Sequence, residues 1–350
     1  MAYTNINDPS AYFQAFLYTG NGSNRTITLP GNSDLKFDLY WYKQRSQTGH
    51  HRMFDTSRGL SVELYPNLTA ADSSATYFNN QQANSFDIIA NDSATNTNGV
   101  TFANWQWKAN GGTTSSNTDG TITSTVQANT TAGFSIVTYT GNGSSNQTVG
   151  HGLGVAPDFI VVKSRNTVAT TDANWIGYHK ELTSSYKIQL NLSIAAGTTG
   201  NWNSTSPTTS VFSILSGNGG TNASGGNFVA YCFAEKKGYS KFGKYVGNGS
   251  TNGPFVYTGF KPALIITKNA DATDSWNLLD NKRSPYNVAD KYLQADNANA
   301  EGTYTFYDIL SNGFKIRNTG NANISGNNIL YIAFAENPFV TSTGVPTTAR

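Results

Sequence analysis

Apolar and polar residues alternate with a period of two over most of the chain, which predicts strands rather than helices. Three apolar runs end in lysine: Asp38-Leu39-Tyr40-Trp41-Tyr42-Lys43, Asp158-Phe159-Ile160-Val161-Val162-Lys163 and Ala263-Leu264-Ile265-Ile266-Thr267-Lys268. Three aromatic runs interleave bulky with small residues: Phe102-Ala103-Asn104-Trp105-Gln106-Trp107, Phe228 to Ala234 and Leu330 to Ala335. Such alternation suits half-buried strands. Only Asn287 to Asn297 offers a short helical pattern.

A third landmark sets the punctuation. Tyr18-Thr19-Gly20-Asn21-Gly22-Ser23 recurs as Tyr139-Thr140-Gly141-Asn142-Gly143-Ser144 and as Tyr245-Val246-Gly247-Asn248-Gly249-Ser250. Asn-Gly predicts a type I′ hairpin turn, because both central residues need φ > 0. The spacing between copies is that of a β-sandwich of about 100 residues. Turn, lysine strand and aromatic strand keep the same order each time. The expectation is an all-β chain of three diverged, jelly-roll-like β-sandwich modules in tandem. They span residues 1–112, 133–238 and 239–338, with a Ser/Thr/Asn/Gly linker at 113–132 and an extended tail at 339–350.

Composition narrows the setting. Charged residues are 13% of the 350 and the formal net charge is +2, without a basic cluster, so neither nucleic acid nor an anionic membrane is suggested as a partner. The one cysteine, Cys232, permits no intramolecular disulfide and is expected to be buried on its apolar strand. The first residues, Met1 to Asp8, show neither a basic region nor an apolar core, and no run reaches membrane-spanning length. A neutral, hydroxyl-rich surface without an export signal fits a virion component assembled in a host cytoplasm and released by lysis.

Candidate chemistry is sparse. His50 and His51 are adjacent and His151 and His179 are isolated, which does not match zinc-ligand spacing. Asp271, Asp274 and Asp280 lack a calcium-loop pattern and read as loop acids. Asp55 and Arg58, like Asp280 and Arg283, are three apart and predict a local ion pair that fixes a loop. Glu235 and Glu336 end equivalent strands and read as a repeated structural position rather than a catalytic pair. Nucleophile elbows, phosphate loops and dinucleotide fingerprints are missing from the sequence. The expectation is no enzyme, no cofactor and no metal. Trp175, Trp202, Trp276 and Tyr286 lie in polar segments, where loop aromatics could stack on a ligand, cap the sandwiches or lie in subunit interfaces.

Asn7-Asp8-Pro9-Ser10-Ala11-Tyr12-Phe13-Gln14, Gly150-His151-Gly152-Leu153-Gly154-Val155-Ala156-Pro157-Asp158 and Ala333-Phe334-Ala335-Glu336-Asn337-Pro338-Phe339 resemble repeat modules of tail-fibre and other virion structural proteins of tailed bacteriophages, notably marine and cyanobacterial ones. The likeness spans nearly the whole chain, although the first module has Gly31-Asn32-Ser33-Asp34 where the second has its Gly-Leu-Gly turn. It implies a non-enzymatic particle protein, most often a tail fibre for host attachment, as a homotrimer. Its partners would be other virion proteins and a host-surface glycan or protein. The alternatives are a decorating or connecting protein of capsid or tail, and a glycan-degrading spike. No ligand residue follows from the resemblance.

Overall fold

The computed structural model describes residues 3–89, 94–166, 172–198, 200–215, 217 and 219–347. Module 1 carries β1 (Phe13–Thr19), β2 (Arg25–Thr28), β3 (Leu39–Gln44), β4 (Arg52–Asp55), β5 (Gly59–Leu64), β6 (Ser73–Ser74), β7 (Phe78–Gln82), β8 (Ser85–Ile88) and β9 (Thr101–Trp107). Next come β10 (Ser115–Asn117), β11 (Ser124–Asn129), β12 (Phe134–Thr140), β13 (Gln147–Gly150), β14 (Phe159–Ser164), β15 (Ile176–His179), β16 (Ile188–Gln189), β17 (Val211–Ile214) and β18 (Asn227–Phe233). Module 3 carries β19 (Ser240–Val246), β20 (Phe255–Tyr257), β21 (Phe260–Asn269), β22 (Asn277–Asp280), β23 (Ala289–Gln294), β24 (Gly302–Leu310), β25 (Gly313–Ile316) and β26 (Asn328–Pro338). The chain is all-β. Among the described residues, helix is limited to short 3-10 turns at Pro9–Ala11 and Asn321–Asn323.

One strand order recurs three times: β1-β9-β3-β4-β5, β12-β18-β14-β15-β16 and β19-β26-β21-β22-β23. The registers coincide as well. Leu39 pairs with Trp107 and Asp55, Phe159 with Phe233 and His179, and Leu264 with Phe334 and Asp280. Residues can therefore be compared position by position across the modules.

Each main sheet is buried on both faces, and the period-2 alternation sorts its side chains between two cores. Tyr40 and Tyr42 pack inward on β7 and β8 of their own module, whereas Leu39 and Trp41 face a core common to all three modules. Ile160 and Val162 divide from Phe159 and Val161 in the same way, as Ile265 does from Leu264 and Ile266. At the centre of the common core Trp107, Phe233 and Phe334 occupy one equivalent position. Their ring centroids lie 5.4, 5.7 and 6.2 Å apart pairwise, so three modules meet around one aromatic trio.

Four local expectations change. The segment 113–132 is no free linker, since β10 pairs with β11 and β11 with β12, extending the second module's sheet. Residues 287–297 contain β23 rather than a helix, held between β22 and β24. In the tail, Val340 bridges to Pro346, while Ser342 N–H donates to Asn7 Oδ1; residues 348–350 lie outside the described residues.

The Gly-Asn-Gly-Ser motif is the fourth. It connects strands that do not pair with each other and so closes no hairpin: β1 pairs with β9 and β2 with β8, β12 with β18 and β13 with β17, β19 with β26 and β20 with β25. Gly22, Gly143 and Gly249 have φ of 69°, 70° and 67°, but the preceding asparagines do not take positive φ, as a type I′ turn would require. Each asparagine Oδ1 instead accepts the backbone N–H of the serine two residues on. Its own N–H donates to a buried asparagine near the start of the aromatic strand: Asn21 to Asn96, Asn142 to Asn222 and Asn248 to Asn323.

Candidate functional site

Two places gather the residues singled out by sequence: the junctions between modules, and an open groove on module 3. The junctions are cyclic. Tyr65, Gln189 and Gln294 are equivalent in register, as are His51, Trp175 and Trp276 just ahead of β4, β15 and β22. Trp175 Nε1–H donates to the Tyr65 carbonyl of module 1 at 2.9 Å, and Trp276 Nε1–H to the Gln189 carbonyl of module 2 at 2.9 Å. His51 completes the ring. Its Nδ1 accepts from Trp41 Nε1, which places the proton on Nε2, and this donates to the Gln294 carbonyl of module 3 at 2.9 Å.

The expected ligand-facing tryptophans are thus interior side chains. Trp175 and Trp276 lie within the common core, and Trp202 lies in module 2's own core against Tyr178 and Phe212. Their local context is polar because the partners that bury two of these rings belong to another module. Only Tyr286 is presented to solvent, at 83% exposure.

The three strand-terminal lysines follow the same ring. Lys163 Nζ donates to the Thr69 carbonyl of module 1, and Lys268 Nζ to the Ser193 carbonyl of module 2 as well as to Asn269 and Asp274 carbonyls. Lys43 Nζ donates to the Gln44 carbonyl, and Gly49 N–H takes the equivalent carbonyl of module 3, at Ala298. All three ammonium groups are buried, and burial pushes each from 10.5 down to about 8. Sequence marked them as landmarks of the repeat. Their threefold recurrence at the end of an apolar run was the signal for a buried role.

Ion pairs close the same seams. Arg45 pairs with Glu301 and Arg165 with Asp72, each across two modules. Asp55 binds Arg58 and the hydroxyl of Tyr231, while Asp280 binds Arg283 and Trp105 Nε1, so each local pair also grips a neighbouring module. Burial drives His51 well below its ordinary range and His179 down to about 4; His179 Nε2 faces the Tyr331 carbonyl at 3.3 Å. Asp271 accepts from Asn328, Asp274 is buried beside Lys268, and Asp280 is held by Arg283, so these acids do not converge. Among the described residues no group of three or more His, Cys, Asp or Glu is placed to hold a metal ion.

The groove, of about 920 Å³, is walled by the loop between β22 and β23 from Asn281 to Asn287, by 309–311 at the β24–β25 turn, by Lys261 of β21, by Glu336 and Asn337 of β26, and by Thr347 of the tail. Glu336 holds Lys261 at 2.8 Å and Lys282 at 3.5 Å on one side. Asn287 is fixed by two hydrogen bonds to the backbone of Ile309, at 3.0 and 2.8 Å. Asn281 lines the groove at 8% exposure, and its Oδ1 is enclosed without a hydrogen-bond partner among the described residues.

A family model described as a domain of unknown function, DUF7483, matches residues 8–338. The chain belongs to that family, and the match runs through all three modules and every junction between them. No curated protein and no solved structure matches the chain.

Proposed function

We propose that this is a structural protein of a phage virion, a tail fibre that takes part in host attachment. The supporting observation is the closed ring of modules. Its buried tryptophans, lysines and Asp–Arg pairs join one module to the next, and this stiffens the chain without a disulfide. A particle that must persist outside cells needs such cohesion, and the low charge and hydroxyl-rich surface suit the same setting. Other virion proteins and a host-surface glycan or protein are the partners in this reading. The protein acts by binding and carries no catalysis.

The ring also bears on assembly. Small sandwiches leave apolar faces that oligomerisation can cover. Here each module's second apolar face is already covered by the other two, so a homotrimer would form through outer surfaces, around an axis separate from the internal one.

The test is the mass of the purified protein in solution by light scattering, together with its adsorption to bacterial cells of a candidate host panel. Adsorption supports the fibre reading, and a trimer mass supports its assembly. A protein that ignores every cell type but labels fixed positions on phage particles would replace it with the decorating or connecting role.

A further inference from the structure

We propose that the open groove of module 3 is a saccharide-binding site, with Tyr286 as the stacking platform and Asn281 as a hydrogen-bonding group on its floor. The inference rests on the attachment reading for the source of the sugar, a cell-surface glycan, while binding itself follows from the groove.

Equivalent positions of the three modules differ at this ledge. Thr56, Lys180 and Asn281 follow β4, β15 and β22 and donate their backbone N–H to the carbonyls of Asp38, Asp158 and Ala263, respectively. In module 1 the Thr56 hydroxyl donates to the Asp38 carboxylate, and the Gln127 amide donates to both Thr56 and Ser57. In module 2 Lys180 is held between Asp158 and Glu235. Both ledges are thus occupied by the chain itself. In module 3 the carboxylate is replaced by Ala263, and among the described residues no donor reaches Asn281 Oδ1. What remains is a ledge that accepts a donor, beside a groove whose rim also includes Thr347 of the tail. Leaving such an acceptor unpaired is costly, so a ligand hydroxyl would satisfy it after a small turn of the amide.

The rest of the groove fits sugar chemistry. Saccharides present alternating hydroxyl edges and C–H faces, which call for polar side chains beside an accessible aromatic ring. Tyr286 supplies the ring at 83% exposure, anchored one residue before the doubly bonded Asn287. Lys282 and Glu336 supply a donor and an acceptor already held together at 3.5 Å. The walls are held in place by sheet pairing: β21 lies between β22 and β26, and Leu310 of β24 pairs with Gly313 of β25.

The experiment is binding of the full chain to an array of neutral, sialylated and sulfated oligosaccharides, at low and at high salt. Tyr286→Ala and Asn281→Ala are run in parallel, with melting curves for each. Retention of at least one oligosaccharide that survives high salt is expected, weakened about tenfold in Tyr286→Ala, whose exposed side chain leaves the melting temperature unchanged. Loss of all retention at high salt would mean charge-driven adsorption and overturn the proposal. So would retention of nothing, or binding indifferent to both substitutions. Cell adsorption that persists without any glycan retention would leave the attachment reading standing and remove this site from it. Glycan binding without cell adsorption would do the reverse.

Discussion

Trp276 of module 3 donates its indole N–H to the backbone carbonyl of Gln189 in module 2 at 2.9 Å. The equivalent Trp175 does the same to Tyr65 of module 1. Replacing Trp276 by Phe removes the donor, leaves a buried carbonyl unpaired and opens a small void. We expect a loss of about 2–4 kcal/mol, read as a lower urea midpoint. Trp202→Phe should cost less, because its Nε1 has no hydrogen-bond partner among the described residues to lose.

Because Trp107, Phe233 and Phe334 meet at one centre, the modules should unfold together. A single thermal transition is expected for the full chain, with calorimetric and van't Hoff enthalpies in agreement. Residues 239–338 expressed alone would expose Trp276, Ile332 and Phe334, and should give the poorly dispersed amide spectrum of an unfolded or aggregating chain. A well-dispersed spectrum from that fragment would refute the shared-core account.

The Asp280–Arg283 pair is buried at 2.6 Å, with Arg283 also facing Trp105 at 5.6 Å from the ring. Asp280→Ala takes the near carboxylate from a buried guanidinium, leaving it Glu301 at 3.6 Å, and should cost about 3–5 kcal/mol in denaturant unfolding. The double variant Asp280→Ala/Arg283→Met should recover a large part of that loss, since it removes the stranded charge.

Burial lowers His179 from 6.5 to about 4 in the folded chain. Its contribution is therefore complete above pH 6.5 and is lost as pH falls towards 4, where the unfolded chain takes up a proton that the folded chain refuses. The loss should reach up to about 3 kcal/mol. His179→Gln should flatten this part of the profile. The comparison with the variant is needed because Asp274, raised by burial to about 6, changes stability in the opposite sense over the same range.

A Cβ on Gly247 would sit 2.2 Å from the Ile324 carbonyl oxygen, and one on Gly20 equally close to Thr97. Gly247→Ala should displace the clasp between Asn248 and Asn323 and lower the melting temperature by several degrees, equivalent to about 1–3 kcal/mol. Gly197→Ala, with open space around the added carbon, is the matched control.

Strands, and the order of their landmarks along the chain, were legible without the fold. Period-2 alternation is a local property, so Leu39–Gln44, Phe159–Ser164 and the core of Phe260–Asn269 were legible from it. The local Asp–Arg pairs were legible for the same reason. The three-residue spacing fixes which groups can meet. Tertiary structure alone decided the fate of the aromatics. Trp175 and Trp276 are surrounded in sequence by polar residues, yet the carbonyls that receive them lie 110 and 87 residues away. The Gly-Asn-Gly-Ser motif was misread as a hairpin because its partner asparagine lies 75 to 80 residues on. Whether a ledge is covered or open depends on which later strand returns to it. That choice is made by packing around the common core, and no window of neighbouring residues contains it.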